Sequence, residues 1–177
     1  MDEITGRSIS DTISYLHETY GFDEDTSEIE AETLSFAEDM YREQATLVQG
    51  IPSLFTRLRG HGVDIGVVSS ALRPWIEQML EGPELGDPEV VVSAGDLEAP
   101  SKPDPAIYER AIELLGTDAS ACIVVEDSVQ GARAAASAGT TVIRYQCSHP
   151  TAPIPEADYL AEDVPELRSR LTSLIET

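Results

Sequence analysis

Lysine is almost missing from this chain: ten of its eleven basic residues are arginine, and the exception is Lys102. Basic residues of either kind are outnumbered by 33 acids, which leaves a formal net charge of -22 at pH 7. The acids run along the whole chain rather than gathering in a tail. Such a surface repels nucleic acid and anionic membrane, so neither is expected as a partner. Diffuse acidity with lysine depletion resembles halophilic proteins, where concentrated salt screens self-repulsion. Cysteine is scarce too, and Cys122 and Cys147 form neither a disulfide framework nor a metal-ligand spacing. Cys122 opens an apolar run and reads as a small core residue. No apolar run approaches the roughly 20 residues of a membrane span. The N-terminus is acidic, without an apolar signal segment. His17, His61 and His149 show no pairing pattern and read as surface or loop residues. The expectation is a soluble, cytoplasmic monomer.

What is present suits one globular domain with a small appendage, with hydrophobic residues at 41% and charged ones at 25%. Residues 1–49 read as helical and polar. Ile9, Ile13, Leu16 and Tyr20 fall near one stripe, Gly21-Phe22-Asp23 breaks it, and a second helix runs through Ile29 to Leu47. Gly50-Ile51-Pro52 punctuates the chain and starts a short helix. From Gly62 the rhythm changes to short apolar strands separated by helices. Strands are expected at Val63–Val68, Val90–Val92, Ala121–Val125 and Thr141–Ile143, with a short edge strand at Ala157–Leu160. Helices are expected through Trp75–Leu80, Asp104–Leu115, Val129–Ala138 and Val164–Ile175. This alternation predicts an α/β fold, a Rossmann-like, mainly parallel sheet with helices on both faces over residues 50–177.

Ligands of such sheets bind beyond the carboxyl ends of the strands. Three polar clusters fall there. Ser69-Ser70 offers hydroxyls and backbone N–H groups for an anion, or a plain helix cap. Glu126-Asp127 crowds two acids whose repulsion a hard cation such as Mg2+ relieves, although Asp127 or Ser128 could simply cap the next helix. Lys102, in Ser101-Lys102-Pro103-Asp104-Pro105, carries a compact point charge suited to one phosphate oxygen, where an arginine fork is not. Together the three clusters point to phosphate chemistry.

Val67-Val68-Ser69-Ser70, then Ser101-Lys102-Pro103-Asp104-Pro105, then Val124-Val125-Glu126-Asp127-Ser128 with Gly131 and Ala138-Gly139, resemble the second, third and fourth motifs of the haloacid dehalogenase superfamily. The flavour is that of its capped phosphatase and β-phosphoglucomutase-like branch, and residues 1–49 resemble a partial α-helical cap. The resemblance implies a Mg2+-dependent phosphohydrolase acting on a small phosphorylated metabolite through an aspartyl-phosphate. By it Ser69 holds the transferring phosphoryl group, Lys102 stabilises nucleophile and phosphate, and Asp127 ligates Mg2+. Glu126 is implied as a further ligand or as an acid behind the metal. Ser70, Ser101 and Arg7 are the candidate substrate contacts.

The family's first motif, an apolar strand ending in Asp-x-Asp-Gly-Thr/Val, has no counterpart in these 177 residues. None of Asp2, Asp11 or Asp23-Glu24-Asp25 follows an apolar strand. That strand is expected between those ending at Ser69 and Asp127, so its absence should leave unpaired ladder groups on both. Without its nucleophile the chain is expected to be inactive as written. The alternatives are a non-catalytic phosphate- and Mg2+-binding protein and a phosphomutase.

The charge makes a direct prediction. The urea unfolding midpoint should rise between low salt and molar KCl, because screening relieves self-repulsion. An unchanged midpoint would contradict it.

Overall fold

A computed structural model of the chain describes residues 8–81, 84–146 and 154–176. Two helices come first. In α1, Ile9–Tyr20, the Ser8 hydroxyl accepts from the Asp11 N–H, and Gly21 ends the helix in the left-handed conformation. Helix α2, Thr26–Glu43, is capped by Asp25, which accepts from the Ser27 N–H. It stops short of the expected Leu47, where the β-branched Thr46 and Val48 weaken continuation. The two helices pack on each other, and α2 also packs on α4, Arg73–Leu80. There Tyr41 stacks on Trp75 with ring centroids 5.1 Å apart. Between them, α3, Ile51–Gly60, starts at Gly50 with Pro52 in its first turn.

The strands are β1 Gly66–Ser69, β2 Val90–Ser93, β3 Ile123–Glu126, β4 Thr141–Tyr145 and β5 Tyr159–Ala161. Strand β1 begins later than expected. The Val63 N–H closes the end of α3 by donating to the Leu58 carbonyl. The Ile65 N–H donates to the Glu89 carboxylate at 2.6 Å. The remaining helices are α5 Ala106–Leu115, α6 Val129–Ser137 and α7 Val164–Ile175. Asp104, expected inside α5, lies just before it and accepts from the Ala106 N–H.

Every ladder is parallel. Consecutive residues of β4 show how both faces are covered. Val142 belongs to the buried cluster that also holds Val92 of β2, Tyr108 of α5 and Ala132 of α6. Ile143 packs with Leu54 of α3 and Leu167 and Leu171 of α7. Burying such an aliphatic side chain contributes about 1.5–3 kcal/mol. Small residues bring α6 close to the strands: Ala132, Ala134 and Ala135 are fully buried. The expected α/β architecture, a parallel sheet sandwiched by helices, is present. Cys122 is a correction: it is partly exposed and not a core residue.

The sheet is divided. Strands β1 and β2 form one ladder and β3, β4 and β5 another, with no ladder joining β1 to β3 among the described residues. The helix layer links the halves, because α5 packs on β1 and β2, α6 packs on β3 and β4, and α5 packs on α6. Val125, in the middle of β3, is 41% exposed, as a strand lacking a neighbour would be. Among the described residues no helix is long and apolar enough to cross a membrane.

Candidate functional site

Three connections converge at the carboxyl ends of β1, β2 and β3. Ser69 ends β1, and its hydroxyl accepts from the Ala71 N–H at 3.1 Å. It does not cap α4, whose N-cap is Leu72 without a side-chain bond. The turn is held from β2, where the Ser93 hydroxyl donates to the Ala71 carbonyl at 2.8 Å. Arg73 grips Asp96 at 2.5 and 3.0 Å and the Val91 carbonyl at 2.9 Å, fixing α4 against the segment that follows β2.

That segment leads to Lys102, which is 5% exposed. Its Nζ donates to Glu126 Oε1 at 2.5 Å and to the Tyr108 hydroxyl at 3.1 Å. The Tyr108 hydroxyl donates to the same Glu126 oxygen. The other oxygen of Glu126 accepts from the Ser128 N–H at 3.2 Å and the Ser128 hydroxyl at 3.0 Å. Four donors therefore meet the roughly four lone-pair sites of one carboxylate. Ser128 also caps α6 by accepting from the Gly131 N–H at 2.9 Å. A Cβ at residue 131 would overlap the Glu126 carboxylate, so only glycine fits there.

Burial alone would push the Glu126 carboxyl up. The Lys102 charge and the hydrogen bonds from Lys102, Tyr108 and Ser128 outweigh it and hold the group below the usual range. Burial first, then the charges of Glu126 and Asp127, push the Tyr108 phenol far up. Burial, then Asp127, also raises the Tyr41 phenol, so Asp127 makes its charge felt by both rings. Asp127 itself is exposed and has no capping duty, because Ser128 performs it.

A cavity of about 240 Å³ opens between the start of α1, through Ser8, Ser10 and Asp11, and the core loops. Ser70, Ser101 and Lys102 line its core side, with Leu72, Leu97 and Ile107 supplying apolar wall. The structure thus brings Ser70, Ser101 and Lys102 to one cavity and Lys102 and Glu126 into direct contact. Ser69, Glu126 and Asp127 do not line that cavity. Ser101 makes no strong contact; its hydroxyl lies 3.5 Å from the Lys102 carbonyl. Arg7, Cys147 and His149 lie outside the described residues.

Sequence reasoning missed Tyr108, Ser93 and the α1 residues that wall the cavity. Tyr108 carried a usable signal, since it sits on the apolar stripe of α5 with Ile107 and Ala111, and a buried tyrosine hydroxyl needs a partner.

Among the described residues no group of three or more His, Cys, Asp or Glu could hold a metal. The donor set is nevertheless compatible with Mg2+, which takes one or two carboxylates and fills its remaining positions with water or phosphate oxygens. Asp127 offers such a carboxylate.

The depressed Glu126 carboxyl makes a pH prediction. Its unfolded value is near 4.3, so the stability drawn from its ionised contacts is complete above that pH. It is lost as pH falls through the lower folded value. In urea unfolding, the parent should therefore exceed Glu126→Gln at neutral pH, and the gap should shrink below about pH 4. A gap independent of pH would contradict it.

The description of haloacid dehalogenase-like hydrolases matches residues 1–145. A CBBY-like protein of Arabidopsis thaliana is 33% identical over 138 residues, 70% of this chain and 43% of that protein. Validoxylamine A 7'-phosphate phosphatase of Streptomyces hygroscopicus subsp. limoneus is 33% identical over 144 residues, 80% of this chain and 66% of the enzyme. The chain thus spans between two fifths and two thirds of these relatives. CbbY from Rhodobacter sphaeroides, in complex with phosphate, superposes with a TM-score of 0.78 at 21% identity, covering 92% of this chain and 76% of that one, which shows a shared fold. A match running from residue 1 to residue 145 establishes that the chain belongs to the haloacid dehalogenase-like hydrolase family.

Proposed function

We propose that this site serves Mg2+-dependent phosphoryl transfer from a small phosphomonoester, most simply as a phosphatase. The observation that carries the reading is Lys102, fixed by Glu126 and Tyr108 while lining a cavity with Ser70 and Ser101. Two N–H groups of its ammonium engage Glu126 and Tyr108, and the third remains for a phosphate oxygen. Ser69 and the N–H groups of the following turn hold the transferring phosphoryl group. Asp127, exposed beside them, holds Mg2+. The metal supplies charge neutralisation and orientation of the phosphoryl oxygens. Within the partial cap of residues 1–49, the described start of α1 closes the cavity through Ser8, Ser10 and Asp11.

Covalent transfer also needs a positioned carboxylate nucleophile. Asp127, which follows the apolar strand β3, is assigned to the metal, and none of Asp2, Asp11 or Asp23-Glu24-Asp25 follows an apolar strand. Strands β1 and β3 each keep one edge without a ladder among the described residues. A strand bearing the nucleophile would pair with both and place its carboxylate between Ser69 and Asp127. The same observation favours a second reading, in which these residues bind phosphate and Mg2+ without turnover.

Calorimetry with inorganic phosphate in Mg2+ tests the site itself. Binding should be lost in Lys102→Ala and should lose its Mg2+ dependence in Asp127→Asn. Phosphate binding unchanged by Lys102→Ala would overturn the reading. The chain alone should not hydrolyse a generic phosphomonoester above background. Joined to a segment carrying an Asp-x-Asp strand, it should turn over, with Lys102→Ala lowering the rate roughly 100- to 1,000-fold. Absence of turnover in the joined protein leaves the binding reading in its place.

A further inference from the structure

We infer that Tyr108 is a positioning residue for Lys102, and that it commits Glu126 to the lysine instead of the metal. Tyr108, Lys102 and Glu126 are 4%, 5% and 7% exposed, so their polar atoms depend mainly on one another. The phenol donates to Glu126 Oε1 and accepts from Lys102 Nζ, bracing both members of the ion pair from α5. With Lys102 and Tyr108 on Oε1 and Ser128 on Oε2, the carboxylate has no lone pair left for a cation. Gly131, with no Cβ, admits the carboxylate to this position. Metal binding then falls to Asp127 alone. A phenylalanine would fill the same apolar volume, so the hydroxyl is what the ion pair requires.

The inference rests on the phosphate-site reading for its purpose, but its test does not. Lys102 is the one lysine in the sequence, so protein labelled with nitrogen-15 at lysine Nζ gives one side-chain correlation. In the parent protein this correlation should exchange slowly and show an Overhauser contact to the Tyr108 ring. In Tyr108→Phe it should shift, and its proton exchange should quicken roughly tenfold, the effect of losing one hydrogen bond to a charged group. Asp127→Asn should leave the correlation in place while removing the Mg2+-induced shifts of nearby amides, and Tyr108→Phe, which frees one lone pair of Glu126, should alter those shifts.

An unchanged correlation in Tyr108→Phe would overturn the inference. So would absence of the Overhauser contact in the parent, a readout that holds even if the variant fails to fold. Mg2+-induced shifts that depend on Glu126, disappearing in Glu126→Gln, would overturn the division of roles. If phosphate with Mg2+ fails to move the parent correlation although Tyr108→Phe does, the phosphate reading falls and the lock on Lys102 stands.

Discussion

Glu126 sits at the end of β3, beneath a helix that admits it only because residue 131 is glycine. A carboxylate in that place must be neutralised and fully hydrogen-bonded, or it costs several kcal/mol. Its partners come from separated parts of the chain: Lys102 from the loop after β2, Tyr108 from α5 and Ser128 from the cap of α6. Satisfying one acid therefore fixes the loop after β2, the helix layer and the third strand relative to one another. This matters because no ladder joins β1 to β3 among the described residues. The ion pair and the α5–α6 contact span a division that backbone hydrogen bonds leave open.

The same constraint gives the composition its meaning. A chain that uses arginine nearly everywhere places its one lysine in a buried ion pair with Glu126. Among the described residues Glu126 is the one buried acid, and it is compensated by Lys102. Beside it Asp127 remains exposed, so adjacent carboxylates in the sequence occupy different environments. One serves the protein interior, and the other is open to solvent.

Much of this was legible in the sequence. Short apolar runs, each followed by a helix, fixed the architecture, because period and punctuation agree in a parallel sheet buried on both faces. The three polar clusters stood out because each interrupts an apolar context at a strand end or a loop. What was not legible depends on packing across long separations. Tyr108 reads as one more core residue of α5 until Glu126 is placed 18 positions later in the chain. The late start of β1 follows from Glu89, a side chain acting as a ladder partner. The wall that Ser8, Ser10 and Asp11 contribute depends on how α1 lies over the core, which no local pattern encodes.

The central claim is that Lys102 and Glu126 form a buried, mutually dependent pair. A double-mutant cycle on Lys102→Met and Glu126→Gln, read by urea unfolding, tests it most directly. Each single change should cost about 3–5 kcal/mol by stranding its partner, and the double change far less than their sum. Additive costs would contradict the account.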